Sequence, residues 1–473
     1  MLPPGKPLDV VIVGAGIGGL TAAIACRRAA APMNVTVLEK CPEILSIGAG
    51  IHIPPNACRV LAEFGLLDKL EQAGGYQVDQ FKLLRYADGR VLASKPIRDR
   101  VTRTYSAQWI AIHRGDYQRV LLEEAAQLGA EIMTHAEAVD IESNLDRQTC
   151  VLLKSGRRLL ADVVIGADGL WSNMRDIVSG SPMLPTETGD LAYRATFCRS
   201  DLTSLGDEGV NRLLEQSDIR VWIGPGRHAV FYPLRNHQEY NLVLIVADDL
   251  PQGVRTAKVA VEEMMSSFDG WDPILKKIMS CAKAEPLKWK LLHMEELAQW
   301  TRATTALLGD ACHPSLPYLG QGAAMAVEDG ATLGALLSRY NATKIAQDQC
   351  QQNQQISRLL HLYQDLRKSR AEILVAGATD TRHYYHLPDG SAQEKRDEEL
   401  AKLSGMSWNG PCVFNWGDAE YQKNLLSFDA GAHAAEGMKD WDKKITAATH
   451  ENCSLCNQRH YSLTGLGASY PAH

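Results

Sequence analysis

Gly14, Gly16 and Gly19 follow the spacing G-x-G-x-x-G, directly after an apolar run at residues 10–13 and directly before an Ala-rich stretch at 20–30. On a strand–turn–helix unit this spacing builds a phosphate cradle. The first glycine permits the tight turn, the second lets the backbone approach a pyrophosphate, and the third lets the helix pack on the strand. The helix start adds unpaired N–H groups and a partial positive charge. A second apolar run at 35–38 ends in Glu39, placed where a carboxylate would accept a ribose hydroxyl. These residues alone do not choose between a flavin and a nicotinamide dinucleotide.

Two further glycine segments lie far along the chain. Gly166-Ala167-Asp168-Gly169 closes an apolar run at 163–166, and Gly309-Asp310-Ala311-Cys312-His313-Pro314 closes another at 306–308. Asp310 is placed to accept a hydroxyl from a polyol chain. The loop Pro317-Tyr318-Leu319-Gly320-Gln321-Gly322-Ala323-Ala324 then opens a helix near Ala323. Bare N–H groups at Gly322 and Ala323 suit a developing negative charge, such as that on a reduced flavin. His113-Arg114 opens another predicted helix, from which Arg114 would reach a nucleotide. Arg119 is less well placed on the same helix, and either arginine is equally readable as a solvent-facing side chain.

The elements that must position these residues are legible in outline. A hairpin is predicted at 82–95, turning at Asp88-Gly89, and a strand pair at 151–160, turning at Ser155-Gly156. Alternating apolar runs at 192–197, 220–223, 229–232 and 241–246 read as a mostly antiparallel sheet. A long helix is predicted at 356–376, after a Gln-rich stretch at 347–355. The expected fold class is α/β: a Rossmann-like dinucleotide domain in two pieces, 1–180 and 285–375, an inserted antiparallel substrate domain at 181–284, and a partly helical C-terminal cap or extension at 376–473.

Composition narrows the function. The 473 residues are 45% hydrophobic and 22% charged, with a formal charge of −7 that provides no basic field for nucleic acid. No stretch approaches the ~20 apolar residues of a membrane span. The first strand comes too early to leave room for a signal peptide. Eleven scattered cysteines suggest free thiols in a reducing, cytoplasmic compartment. Cys453 and Cys456 form a C-x-x-C between His450 and His460; without a second ligand pair it reads as tail rather than as a zinc site.

Across roughly residues 8–375 the chain resembles the single-component, FAD-dependent aromatic hydroxylases of the salicylate hydroxylase and 6-hydroxynicotinate 3-monooxygenase type. The resemblance rests on the three glycine segments, on Gly48-Ala49-Gly50-Ile51-His52-Ile53-Pro54-Pro55-Asn56-Ala57, and on Tyr363, Arg367 and Arg370 in the pattern Y-x-x-x-R-x-x-R. It implies FAD as cofactor, with Gly50 in a flavin-side loop, and NADH or NADPH and O₂ as co-substrates. It further implies oxygen transfer to an electron-rich ring through a flavin C4a-hydroperoxide. With one dinucleotide fingerprint present, the reductant is expected to visit a surface groove near Asp168 and Arg175.

The resemblance also points to groups that act on a small phenolic or heteroaromatic substrate, salicylate-like and decarboxylative in one version. Arg194 would pair with a phenolate or carboxylate. Tyr232 would bond the ring hydroxyl, and His52 would relay its proton. His228 and His313 are lesser candidates. Each has a plain alternative: a structural ion pair for Arg194, sheet core for Tyr232, a solvent-exposed loop position for His52. Competing readings are a monooxygenase that dearomatises or epoxidises a larger secondary-metabolite substrate, and a flavoprotein reduced to a binding module. A halogenase is disfavoured, because 408–416 reads W-N-G-P-C-V-F-N-W and lacks the W-x-W-x-I-P signature. The oligomeric state is left open.

Overall fold

The computed structural model describes residues 6–44, 49–283, 285–343, 348–403 and 411–441. Gly48, Trp408, His450, Cys453, Cys456 and His460 therefore lie outside the described residues.

The apolar run at 10–13 becomes the strand Asp9–Val13, buried between two parallel neighbours, Asn34–Leu38 and Val163–Gly166. Thr305–Leu307 and Glu131–Met133 extend this sheet, and Thr301–Arg302 completes it as an antiparallel edge, giving six strands. Near-continuous Val and Ile on the central strands fit a parallel sheet covered on both faces. All three glycine segments lie at the carboxyl ends of neighbouring strands, where open α/β sheets bind ligands.

The alternating runs form an eight-stranded sheet. Thr186–Cys198, Glu239–Ala247, Arg227–Leu234 and Ile219–Gly224 are its antiparallel centre. The predicted hairpin exists as Gln80–Arg85 and Val91–Pro96, and it joins this sheet through a parallel pairing with Ile219–Gly224. Leu287–His293 adds a strand on the other side. Alternation sends Leu191, Tyr193, Phe231 and Leu244 into a separate core under four short helices. The opposite face sends Ala192, Tyr232 and Ile245 toward the dinucleotide-binding part.

The long helix runs Gln349–Tyr385, further at both ends than the predicted 356–376. Its Gln-rich start is helical because Gln is a fair helix former. The start is also capped: the Asp348 side chain accepts from the Gln351 N–H, and Asn353 donates to the Leu145 and Arg147 carbonyls. Past residue 385, Ser391–Leu403 and Ala419–Leu426 are helices, and Trp416 stacks on Phe81 at 4.3 Å.

Candidate active site

The fingerprint loop separates packing from binding. Gly14 sits at φ +111°, and a Cβ there would meet the Ala167 carbonyl oxygen at 2.3 Å. A Cβ on Gly19 would lie 2.1 Å from the Gly14 oxygen. Protein packing thus demands both residues. Gly16, the N-cap of helix Ile17–Arg27, has no protein atom within 4 Å of its Cβ position. Its missing side chain keeps the helix start open, as a pyrophosphate requires. Glu39 borders the same loop: one carboxylate oxygen accepts from the Ala15 N–H (3.1 Å), the other from the Cys41 N–H (2.9 Å). An ionised carboxylate offers about four acceptor positions, which leaves capacity for a hydroxyl.

Asp168 starts the next helix, Asn173–Ser179. It accepts from the Asn173 and Met174 N–H groups (2.8 and 3.0 Å) and from the Ser172 hydroxyl. Arg175, near which a surface groove for the reductant is expected, is itself inside the protein. Its side chain is buried and donates to the Leu170, Met183 and Ala311 carbonyls, so it braces the loop and is withdrawn from any surface groove.

Asp310 is anchored from behind. The Gly309 N–H donates to Asp329 (2.9 Å), which also accepts from His313 Nε2 (2.6 Å) and Arg367 Nε (2.8 Å). Arg367 and Arg370 both reach Glu328, which also accepts from Asn56 at 2.6 Å. Tyr363 donates to the Leu307 carbonyl. The Y-x-x-x-R-x-x-R pattern is therefore a buried ionic brace under the Gly309–Asp310 turn, and His313 belongs to it. Burial opposes charge throughout, yet the His313 and Arg367 cations hold Asp329 down to about 2. Asp310 itself keeps solvent contact, while burial pushes its carboxyl up against the pull of His313 and Arg114. A group both accessible and crowded by protein sits at the edge of a cleft.

A small sheet brings the other groups to that cleft. Gly50–Ile53 pairs with Ile110–His113, so Gly50 faces His113 and the Arg114 N–H donates to the Ala49 carbonyl. Arg114 is exposed at the start of Arg114–Gln127, and its charge is felt by both Asp310 and Arg194. Arg119 instead pairs with Asp116 and Glu123 on the surface. Gly322 and Ala323 open the helix Gly322–Thr343 and are half-buried.

Arg194, Tyr232 and His52 converge. Tyr232 is opposite Asn241, and Arg194 is opposite Val243, which is opposite Val230. Arg194 is exposed and Val230 and Val243 are half-buried, although the sheet is covered on both faces; the three mark an accessible hollow with an apolar floor. The His52 ring sits 4.4 Å from the Tyr232 ring, tilted by 55°. Burial lowers His52 to about 4 and leaves its Nε2 without a hydrogen-bond partner. Burial also raises the Tyr232 phenol well above its ordinary range, against the pull of Arg194. The Arg194 guanidinium is pressed down by burial and by Arg114, with Tyr232 opposing. His228, on the same strand face, is withdrawn into a pair with His386 (Nδ1 to Nε2, 2.8 Å).

Asn241 escaped the sequence reading. It is fully buried and accepts the Gly50 N–H at 2.9 Å, tying the Gly50 segment to the eight-stranded sheet. One polar residue inside the apolar run 240–246 was the available signal.

Residues 7–375 match the FAD binding domain family. The chain is 37% identical over 422 residues to the FAD-dependent monooxygenase OpS4 of Beauveria bassiana (strain ARSEF 2860), covering 87% of this chain and 94% of that protein. It is 32% identical over 335 residues to the 6-hydroxynicotinate 3-monooxygenase of Pseudomonas fluorescens, covering 70% and 83%. A salicylate hydroxylase in its substrate complex has the same fold, with a TM-score of 0.73 at 21% identity, covering 91% of this chain and 98% of that one. The chain belongs to the FAD-binding-domain family, among its FAD-dependent monooxygenases of the aromatic hydroxylase type. It is an oxidoreductase that uses FAD. The open helix start at Gly16, the carboxylates of Glu39 and Asp310 and the exposed Arg114 fit that cofactor: a cradle for the pyrophosphate, acceptors for its hydroxyls and a cation at the cleft. No helix of the described residues is long and apolar enough to cross a membrane.

Proposed function

We propose that this monooxygenase hydroxylates a small phenolic or heteroaromatic substrate carrying an anionic group, with NADH or NADPH as reductant and O₂ as oxygen source. Salicylate-like acids, hydroxylated with or without loss of carboxylate, are within the class. The observation that carries the reading is the convergence of Arg194, Tyr232 and His52 around the apolar floor of Val230 and Val243. Bound FAD supplies the electron transfer and the oxygen activation. Arg194 pairs with the anionic group and favours ionisation of a ring hydroxyl. Tyr232 stays protonated and holds that hydroxyl by a hydrogen bond. His52, neutral at physiological pH, relays the proton onward rather than keeping it. Val230 and Val243 lie against the ring and exclude water.

The test is NADH and NADPH oxidation by the yellow protein with salicylate, 6-hydroxynicotinate and a panel of phenols, with product mass recorded. Substrate-stimulated oxidation with a product one oxygen heavier is expected; a carboxylate replaced by hydroxyl marks the decarboxylating form. Normal turnover by both Arg194→Ala and Tyr232→Phe would sink the assignment.

The broad match to OpS4 supports a second reading. It names an FAD-dependent monooxygenase with no simple phenol in its name, which leaves room for a larger substrate that is dearomatised or epoxidised. Silence across the phenol panel would move the assignment there.

A further inference from the structure

Two side chains that lie far apart in the chain, Tyr318 and Arg382, meet at one buried carboxylate. Asp190, on the strand Thr186–Cys198, is 2% exposed. It accepts from the Tyr318 hydroxyl and, in a fork, from Arg382 Nε (2.5 Å) and Nη2 (2.6 Å). Tyr318 belongs to the loop that opens the helix Gly322–Thr343, and Arg382 to the last turn of the long helix. Around this carboxylate the rings of His228 and Tyr318 lie 5.1 Å apart, and His386 bonds His228. Leu319 packs on Gly377: a Cβ there would come within 3.2 Å of its Cδ1. On the cleft side of the loop, Gly320 faces His52, whose Nδ1 is 3.8 Å from its Cβ position.

The family match ends at residue 375, so Gly377, Arg382 and His386 all lie past it. We propose that Asp190 is a positioning residue for the loop 317–322: it clamps Tyr318 to Arg382, and residues 376–386 thereby hold that segment in its FAD-binding position. A buried carboxylate with three charged or hydroxyl donors defines one geometry, and the guanidinium fork adds direction. Tyr318 transmits that geometry to Gly320 and so to the wall formed by His52. The inference rests on FAD binding and not on the proposed substrate. With FAD as the probe, its failure and the failure of the substrate reading are separate results.

The experiment titrates full-length protein with FAD by flavin fluorescence and records the visible spectrum of the bound flavin. Asp190→Asn is expected to weaken FAD binding about tenfold, the scale of a lost charge-assisted hydrogen bond, and to shift the spectrum. Adding Tyr318→Phe to it should cost no more than about twofold further, because both act through one loop. Full multiplication of the two effects overturns the clamp. So does unchanged FAD affinity and spectrum beside a lower melting temperature, since that marks a role in stability alone. If Asp190→Asn does not fold, Arg382→Lys, which keeps the charge but loses the fork, takes its place in the same cycle, and the same two results overturn the clamp.

Discussion

A Cβ on Gly50 would lie 2.4 Å from the Tyr232 ring. Gly50→Ala is therefore expected to bind FAD but to displace the tyrosine, lowering kcat/KM about 100-fold. Retained FAD with normal turnover would show that Tyr232 is not held by this contact. At Arg194 charge and geometry separate: Arg194→Lys keeps a cation but loses the fork, so KM for an anionic substrate should rise about tenfold or more with kcat less affected. Steady-state kinetics with an acid and its amide analogue check this, the amide showing the smaller change. His52 leads to a pH prediction. Burial holds its protonation down to about 4, so it stays neutral across the working range and kcat/KM should show no limb near pH 6.5 from this residue. A limb near 6.5 that vanishes in His52→Gln would contradict it.

At the scale of the element, the strand–turn–helix carrying the fingerprint sorts its glycines by cause. Gly16→Ala meets no protein atom, so the apoprotein should lose less than about 1 kcal/mol while FAD affinity collapses. Gly19→Ala drives a Cβ against the Gly14 carbonyl, and the apoprotein itself should lose about 1–3 kcal/mol. Thermal melts of the two apoproteins beside FAD titrations decide the matter; equal stability losses would refute the distinction. The ionic brace between the helices Gly322–Thr343 and Gln349–Tyr385 predicts a larger effect. Arg367→Met leaves Glu328 and Asp329 buried with one cation fewer, a loss of about 3–5 kcal/mol. Chemical denaturation measures it directly.

Across the whole molecule, the buried imidazoles set a pH dependence of stability. His52 and His386 are lowered to about 4 and His228 well below its ordinary value, chiefly by burial. Unfolding lets each take up a proton below its unfolded value near 6.5, so stability should fall as pH drops from 6.5 toward 4. His313 works the other way, because Asp329 raises it despite burial. Three depressed groups against this one predict a lower melting temperature at pH 5 than at pH 7; an equal or higher value would show that these sites do not govern acid stability.

Local rules made much of this legible in the chain itself. A G-x-G-x-x-G between an apolar strand and an Ala-rich helix announces its own turn, because glycine spacing and helix start are decided within a few residues. The same holds for the hairpin at Asp88-Gly89 and for the alternation that puts Arg194 and Tyr232 on sheet strands. What local pattern cannot state is which faces meet. Nothing local to Arg175 announces its burial, and only packing reveals that carbonyls surround it. The Gln-rich start of the long helix carries no apolar stripe, and tertiary bonds from Asn353 secure it. Asn241 reaches Gly50 across 191 positions, and Arg382 reaches Asp190 across 192. The sequence by itself determined the dinucleotide fold, its cradle and the residue types available for aromatic chemistry. Sheet register and helix length alone decided that Arg194, Tyr232 and His52 share one hollow and that the chain beyond 375 is tied through Asp190 to the loop at Tyr318, because contacts between distant segments depend on three-dimensional closure and leave no local periodicity to read.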